Sequence, residues 1–114
     1  MASGLKTIIY PVKDLAGAKA LYGNLLGVEP YVDQPYYVAF NVDGTDVGLD
    51  PNGHAKGMTG ALPYWHVADI QASIKDLVAA GGELQQDATD VGGGNLIASV
   101  KDTDGNIIGL MQAV

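Results

Sequence analysis

Residues 8–15 read Ile-Ile-Tyr-Pro-Val-Lys-Asp-Leu, and residues 63–70 read Pro-Tyr-Trp-His-Val-Ala-Asp-Ile. Each is an apolar and aromatic run that closes on Val-x-Asp-aliphatic. Runs rich in β-branched and aromatic side chains form strands. The Asp that follows can accept hydrogen bonds from the free N–H groups of a helix's first turn. A strand feeding a capped helix therefore occurs twice, with Asp14 and Asp69 in register at an offset of 55.

The duplication extends outward from these two stretches. Gly27 and Gly82 keep the offset of 55. Asp43-Gly44 matches Asp104-Gly105 and Gly48-Leu49 matches Gly109-Leu110, now at 61, so the second copy carries about six extra residues. Gly92-Gly93-Gly94 is the expected place for them. Leu15, Ala18, Tyr22, Leu25 and Leu26 recur at helical spacing, as do Ile70, Ile74, Leu77 and Val78, which predicts helices near 14–26 and 69–80, each with one buried stripe. Gly27 and Gly81-Gly82 stand where a left-handed residue ends a helix. First strands are expected at about 5–12 and 61–67, and short strands at 28–32 and 83–86. Hairpins follow at 36–42 with 45–50 and at 96–101 with 106–112. Each is joined at Asp-Gly, the signal of a type I′ turn. Residues 51–60, Pro-Asn-Gly-His-Ala-Lys-Gly-Met-Thr-Gly, read as a linker. The expected fold is α+β: one domain, 1–114, of two tandem βαβββ modules, 1–50 and 61–114. Their curved mixed sheets would surround a cup.

Composition narrows the function classes. The chain has 114 residues and a formal net charge of −7. Phosphate contact needs a basic surface, so a nucleic-acid partner is not expected. All six cations are lysines; without arginine there is no bidentate clamp for a carboxylate or phosphate ligand. Cysteine is absent, which removes disulfides, thiolate ligands and thiol nucleophiles. No apolar run reaches the ~18–20 residues of a membrane span, and no membrane partner is expected. Met-Ala-Ser-Gly-Leu-Lys at the start carries no apolar segment of signal-peptide length, giving an expectation of the cytoplasm. Gly92-Gly93-Gly94 is followed by neither Lys-Ser/Thr nor a helix pattern, so it is no phosphate loop. Ser73 and Ser99 lie in no nucleophile-elbow sequence.

Taken together, Val-x-Asp-aliphatic before a helix, Leu-Tyr-Gly-Asn-Leu-Leu-Gly-Val at 21–28, and Asp102-Thr103-Asp104-Gly105-Asn106 before Ile-Ile-Gly-Leu-Met-Gln resemble the vicinal-oxygen-chelate superfamily of glyoxalases, bleomycin-resistance proteins and ring-cleaving dioxygenases. Thr103 stands where that family usually has proline. The resemblance implies metal ligands at four points: a His or Gln seven residues before each capping Asp, and a Glu four residues after each turn Gly. Here those points are Thr7, Leu62, Gly48 and Gly109. Divalent metals of this kind take imidazole nitrogens and carboxylate oxygens. Leu and Gly offer neither, so no metal and no cofactor are expected.

Strand alternation places Thr7, Ile9 and Pro11 on the cup face of the first strand, and Leu62, Tyr64 and His66 on that of the second copy's. Asp46 and Asp50 share the parity of Gly48; Ile107 and Met111 share that of Gly109. Ile9, Leu62, Tyr64, His66 and Met111 are the expected ligand lining, with one of Tyr36 or Tyr37 added. Tyr10 and Trp65 are expected in the core against the helices, and Met58 near the cup. His54 is expected to be solvated.

Three functions stay open. A metal-free protein could bind a drug or metabolite in the cup, as the bleomycin-resistance resemblance implies. An enzyme (lyase, isomerase or dioxygenase) could use a displaced metal or the pair His66 and Asp50 as acid and base. A non-catalytic interaction domain could fill its cup with its own side chains. A homodimer is expected, since small two-module chains cover sheet edges and apolar faces by twofold pairing.

Overall fold

Asp14 and Asp69 both cap helices. The Asp14 carboxylate accepts the Gly17 N–H at 3.0 Å, opening α1 (Leu15–Leu26). The Asp69 carboxylate accepts the Ala72 N–H at 3.1 Å, opening α2 (Ile70–Ala79). Gly27, left-handed at φ 71°, closes α1 with its N–H on the Gly23 carbonyl. In the computed structural model, which describes residues 2–114, each capped helix follows a strand and precedes three more. The first module runs β1 (Ala2–Pro11), α1, β2 (Val32–Gln34), β3 (Tyr37–Val42) and β4 (Thr45–Asp50). The second runs β5 (Leu62–Val67), α2, β6 (Glu83–Asp90), β7 (Leu96–Lys101) and β8 (Ile107–Gln112). The α+β class and the tandem βαβββ modules are thus present.

Contacts gather the chain into two compact units, residues 6–62 and residues 63–114, the latter joined by the first residues of β1. In the first, the strand order is β2-β3-β4-β1, with β1 and β4 parallel and the rest antiparallel. In the second it is β5-β8-β7-β6, with β5 and β8 parallel. Each sheet packs one face on its own helix. Val38, Phe40, Val47 and Leu49 form the core of the first unit, with Leu15, Ala18, Tyr22 and Leu26 of α1 against it. Val67, Ile70, Ile74, Ala98, Val100 and Leu110 form that of the second.

Several local expectations need correction. β2 covers Val32–Gln34 rather than 28–32. Pro30 has no N–H to give to a ladder, and pairing to β3 begins where the Tyr31 N–H meets the Ala39 carbonyl. β6 reaches Asp90, eight residues against three in β2, so the extra residues of the second copy lengthen a strand as well as the glycine loop. The linker holds a short 3₁₀ turn (His54–Lys56), with His54 exposed as expected. Asp43 and Gly44 have φ 51° and 85°, the two positive angles of a type I′ turn. At the second hairpin only Gly105 is positive. There the Asp102 carboxylate takes the Asp104 N–H at 2.9 Å, the Asn106 N–H at 2.8 Å and Asn106 Nδ2 at 2.9 Å. Those bonds hold a longer turn and keep the Asp102 carboxyl below its ordinary value, Asn106 being the main cause. Leu25 and Val78, expected inside, are exposed. Nearly every position of α1 is apolar, so its periodicity cannot single out a buried face.

Candidate functional site

In the unit of residues 6–62 the register defines the sheet face opposite α1. Thr7 lies beside Asp46, Ile9 beside Gly48 and Pro11 beside Asp50. Across β4, Asn41 pairs with Asp46 and Ala39 with Gly48. Alternation adds Tyr37 of β3 to this face. The Tyr37 ring lies over Gly48: a Cβ built there would stand 2.7 Å from its Cζ and closer still to the hydroxyl. The phenol occupies the volume that a side chain at 48 would need. Tyr36, its neighbour, points away and is exposed.

The second unit repeats this relationship with a different tyrosine. Gly109 pairs with Tyr64 across β5 and β8, and with Ser99 on β7. A Cβ at 109 would stand 2.7 Å from Tyr64 Cδ1 and 2.5 Å from the Pro63 carbonyl oxygen. Tyr64 is buried, His66 is half-buried beside Met111, and the buried Ser99 donates its hydroxyl to Gln85 Oε1 at 2.9 Å. The expected lining residues Tyr64, His66 and Met111 therefore share one face of this sheet. Ile9 lies beside Gly48 on the sheet face opposite α1 in the other unit, and Leu62 opens β5, half-buried.

Polar groups of the first face are largely committed. Asp46 accepts Asn41 Nδ2 at 2.9 Å and the Tyr31 hydroxyl. The Tyr31 phenol is raised above its ordinary value, first by desolvation and then by the charge and hydrogen bond of Asp46. Asp50, 7% exposed, takes the Asn52 N–H at 2.8 Å on one oxygen and Lys56 Nζ at 2.9 Å on the other. Its carboxylate pins the turn after β4. Asp50 belongs to the first unit and His66 to the second.

Among the described residues no three His, Cys, Asp or Glu side chains gather in a way that would hold a metal ion. The donor set that the resemblance implies does not fit the residues present: at two of its expected points, 48 and 109, the residue is glycine beside a tyrosine ring. Thr7, at a third, is buried in β1, and a hydroxyl alone is a poor substitute for imidazole.

Two expectations on aromatics part company. Tyr10 packs in the core with Tyr22, ring centroids 4.9 Å apart. Trp65, its equivalent, is 40% exposed; the second core closes on Ile70, Ile74, Val100 and Leu110 without it. Met58 packs at the linker, its Sδ 3.0 Å from where a Cβ on Gly53 would lie. The role of Tyr37 was only half legible. Two tyrosines stand side by side, and the register with Gly48 is what selects the second.

A family model described as the Glyoxalase/Bleomycin resistance protein/Dioxygenase superfamily matches residues 4–110. No curated protein matches the sequence. Among solved structures, methylmalonyl-CoA epimerase from Mycobacterium tuberculosis is 19% identical, with a TM-score of 0.71 over 99% of this chain and 89% of that one. A member of the same superfamily from Vibrio splendidus 12B01 is 20% identical, TM-score 0.69, covering 96% and 100%. The Mn(II)-bound glyoxalase from Novosphingobium aromaticivorans is 17% identical, TM-score 0.73, over 97% of this chain and 39% of that one.

Proposed function

The chain belongs to the Glyoxalase/Bleomycin resistance protein/Dioxygenase superfamily, and from that membership we propose that it is a metal-independent binding protein for a small organic molecule, uncharged or cationic. The ligand rests on a sheet face opposite a helix: Tyr64, His66 and Met111 offer that face in the unit of residues 63–114, and Ile9, Leu62 and Tyr37 are the candidates of the unit of residues 6–62. One observation carries this reading: the tyrosine rings over Gly48 and Gly109. They put aromatic surface at the two points where the sequence resemblance implies a carboxylate ligand. Apolar ligand surface buried there gains ~25 cal/mol per Å², and tyrosine joins that apolar contact to a polar tip. A net charge of −7 and the lack of arginine favour a neutral or positive ligand over an anion. The same charge disfavours nucleic acid.

The enzyme alternative rests on His66, with Asp50 as partner. The two bonds that Asp50 makes to Asn52 and Lys56 speak against Asp50 as a mobile acid or base.

Elemental analysis of purified protein, followed by a thermal-shift screen of metals, neutral amphiphiles, organic cations and carboxylates, tests the proposal. It predicts no stoichiometric metal and stabilisation by a neutral or cationic compound, weakened in Tyr64→Phe or Tyr37→Ala. About one tightly held metal per chain, lost in His66→Ala, would overturn it.

A further inference from the structure

In the unit of residues 63–114, the sheet face opposite α2 carries a polar contact that the packing does not need. Ser99 of β7 lies beside Gly109, and Gly109 lies beside Tyr64. These residues form a row across the strands, on the face away from the core of Ile70, Ile74 and Leu110. Ser99 is 6% exposed, and its hydroxyl donates to Gln85 Oε1 at 2.9 Å. A hydroxyl has one proton to give, so this bond commits it. The Gln85 carboxamide is thereby held by its oxygen. Its nitrogen keeps its N–H donors, on a residue that is exposed.

The backbone of β6 is shaped around this contact. Leu84 pairs with Val100 and Gln86 with Ser99, so Gln85 is an extra residue in the ladder. Such a β-bulge bends the strand and re-aims its side chains, and bulges gather beside binding sites. β2, the equivalent strand of the first module, pairs in unbroken register. Strands lie about 4.8 Å apart, and the residue between Tyr64 and Ser99 is a glycine. A flat ring lying toward Tyr64 can therefore bring a polar edge to Gln85. Ile97 and Met111, paired in the adjoining row, extend the apolar surface.

We propose, resting on the binding reading above, that Gln85 oriented by Ser99 is a specificity-determining residue. Its carboxamide N–H donates to a carbonyl oxygen of an uncharged ring compound whose apolar part lies against Tyr64, Ile97 and Met111. The donor selects the class. An ammonium carries donors only and cannot accept from an N–H. A carboxylate would need a cation, and Lys101 of this face stands across from Glu83 in a chain of net charge −7.

Protein-observed NMR titration of the full chain with two matched pairs tests this: 1-tetralone against tetralin, and 2-quinolinone against naphthalene. Gln85→Leu should weaken the carbonyl member of each pair about three- to tenfold, the worth of one net hydrogen bond. It should leave tetralin and naphthalene unchanged. Gln85→Glu keeps an oxygen for Ser99 but loses the N–H and gains a charge. It should shift preference from 1-tetralone to protonated 1-aminotetralin. Ser99→Ala should reduce the carbonyl preference, because the carboxamide is no longer held. Urea denaturation should show all three variants folded. If Gln85→Leu bound the carbonyl compounds like wild type, or weakened both members of each pair equally, the role of Gln85 would be overturned and the binding reading would stand. Wild-type protein that bound no member of either pair would overturn both.

Discussion

The ring of Tyr37 covers Gly48 on the sheet face opposite α1, and it fills the space that a side chain at position 48 would enter. Tyr64 does the same to Gly109 in the other unit. Glycine at these two points leaves the volume that the two rings occupy.

The two glycines should differ in how they tolerate a methyl group. At 48 the obstruction is the far end of a tyrosine side chain, which can swing away. At 109 it includes the Pro63 carbonyl oxygen at 2.5 Å, which cannot move without the strand. Gly109→Ala should cost ~1–3 kcal/mol by overpacking, and Gly48→Ala less. Urea denaturation of both variants measures this; equal costs would contradict the packing account.

Restoring the family's carboxylates one at a time should not restore a metal site. Gly48→Glu has to displace the Tyr37 ring, and no His stands at 7 or 62 to complete a ligand set. Calorimetric titration of Gly48→Glu with Mn(II), Ni(II) and Zn(II) should give no stoichiometric binding. A one-to-one isotherm would show that a single added carboxylate is enough to build a site.

Asp50 acts on stability. Asp50→Ala strands the Asn52 N–H and Lys56 at the turn after β4, and a broken part-buried hydrogen bond costs ~1–3 kcal/mol. Lys56→Ala should cost under ~1 kcal/mol, because the lysine side chain is 64% exposed. If Asp50→Ala left stability unchanged but removed ligand binding or an activity, the acid–base reading would gain.

The Asp102 carboxyl should titrate below the ordinary Asp value, because Asn106 hydrogen-bonds its charged form. A depressed folded-state value means that its contribution is fully present at neutral pH, above the unfolded-state value. It is lost as pH falls through the folded-state value. Carboxyl-carbon NMR titration reads the shift directly. Asn106→Ala should move it up toward the ordinary Asp range, and no change would refute the assignment.

The helix caps should be separable from the site. Asp14→Ala and Asp69→Ala each remove one carboxylate bond to a first-turn N–H, at ~1 kcal/mol. Thermal melts of the two variants, run with and without a ligand from the screen, should shift Tm and leave the ligand-induced increment intact.

The duplication was legible because it is written in local rules. Val-x-Asp before an apolar periodic run, Gly after it, and Asp-Gly between alternating runs each fix backbone within a few residues. Repeated at matching offsets, they fix a βαβββ order twice. That Leu62, Gly48 and Gly109 bring no donor atom was legible as well, since their side chains have none in any fold. The tertiary structure decided what no short window contains. Pairing of Ala39 with Gly48 and of Tyr64 with Gly109 chose which tyrosines roof which glycines. Asp50 is bound by residues two and six further on, in a linker without periodicity. Trp65 stayed outside because the second core filled without it. In α1, apolar on nearly all sides, the buried face was settled by contact with Phe40 and Leu49 across the sheet; side-chain pattern sets a helix's orientation only when its two faces differ in polarity.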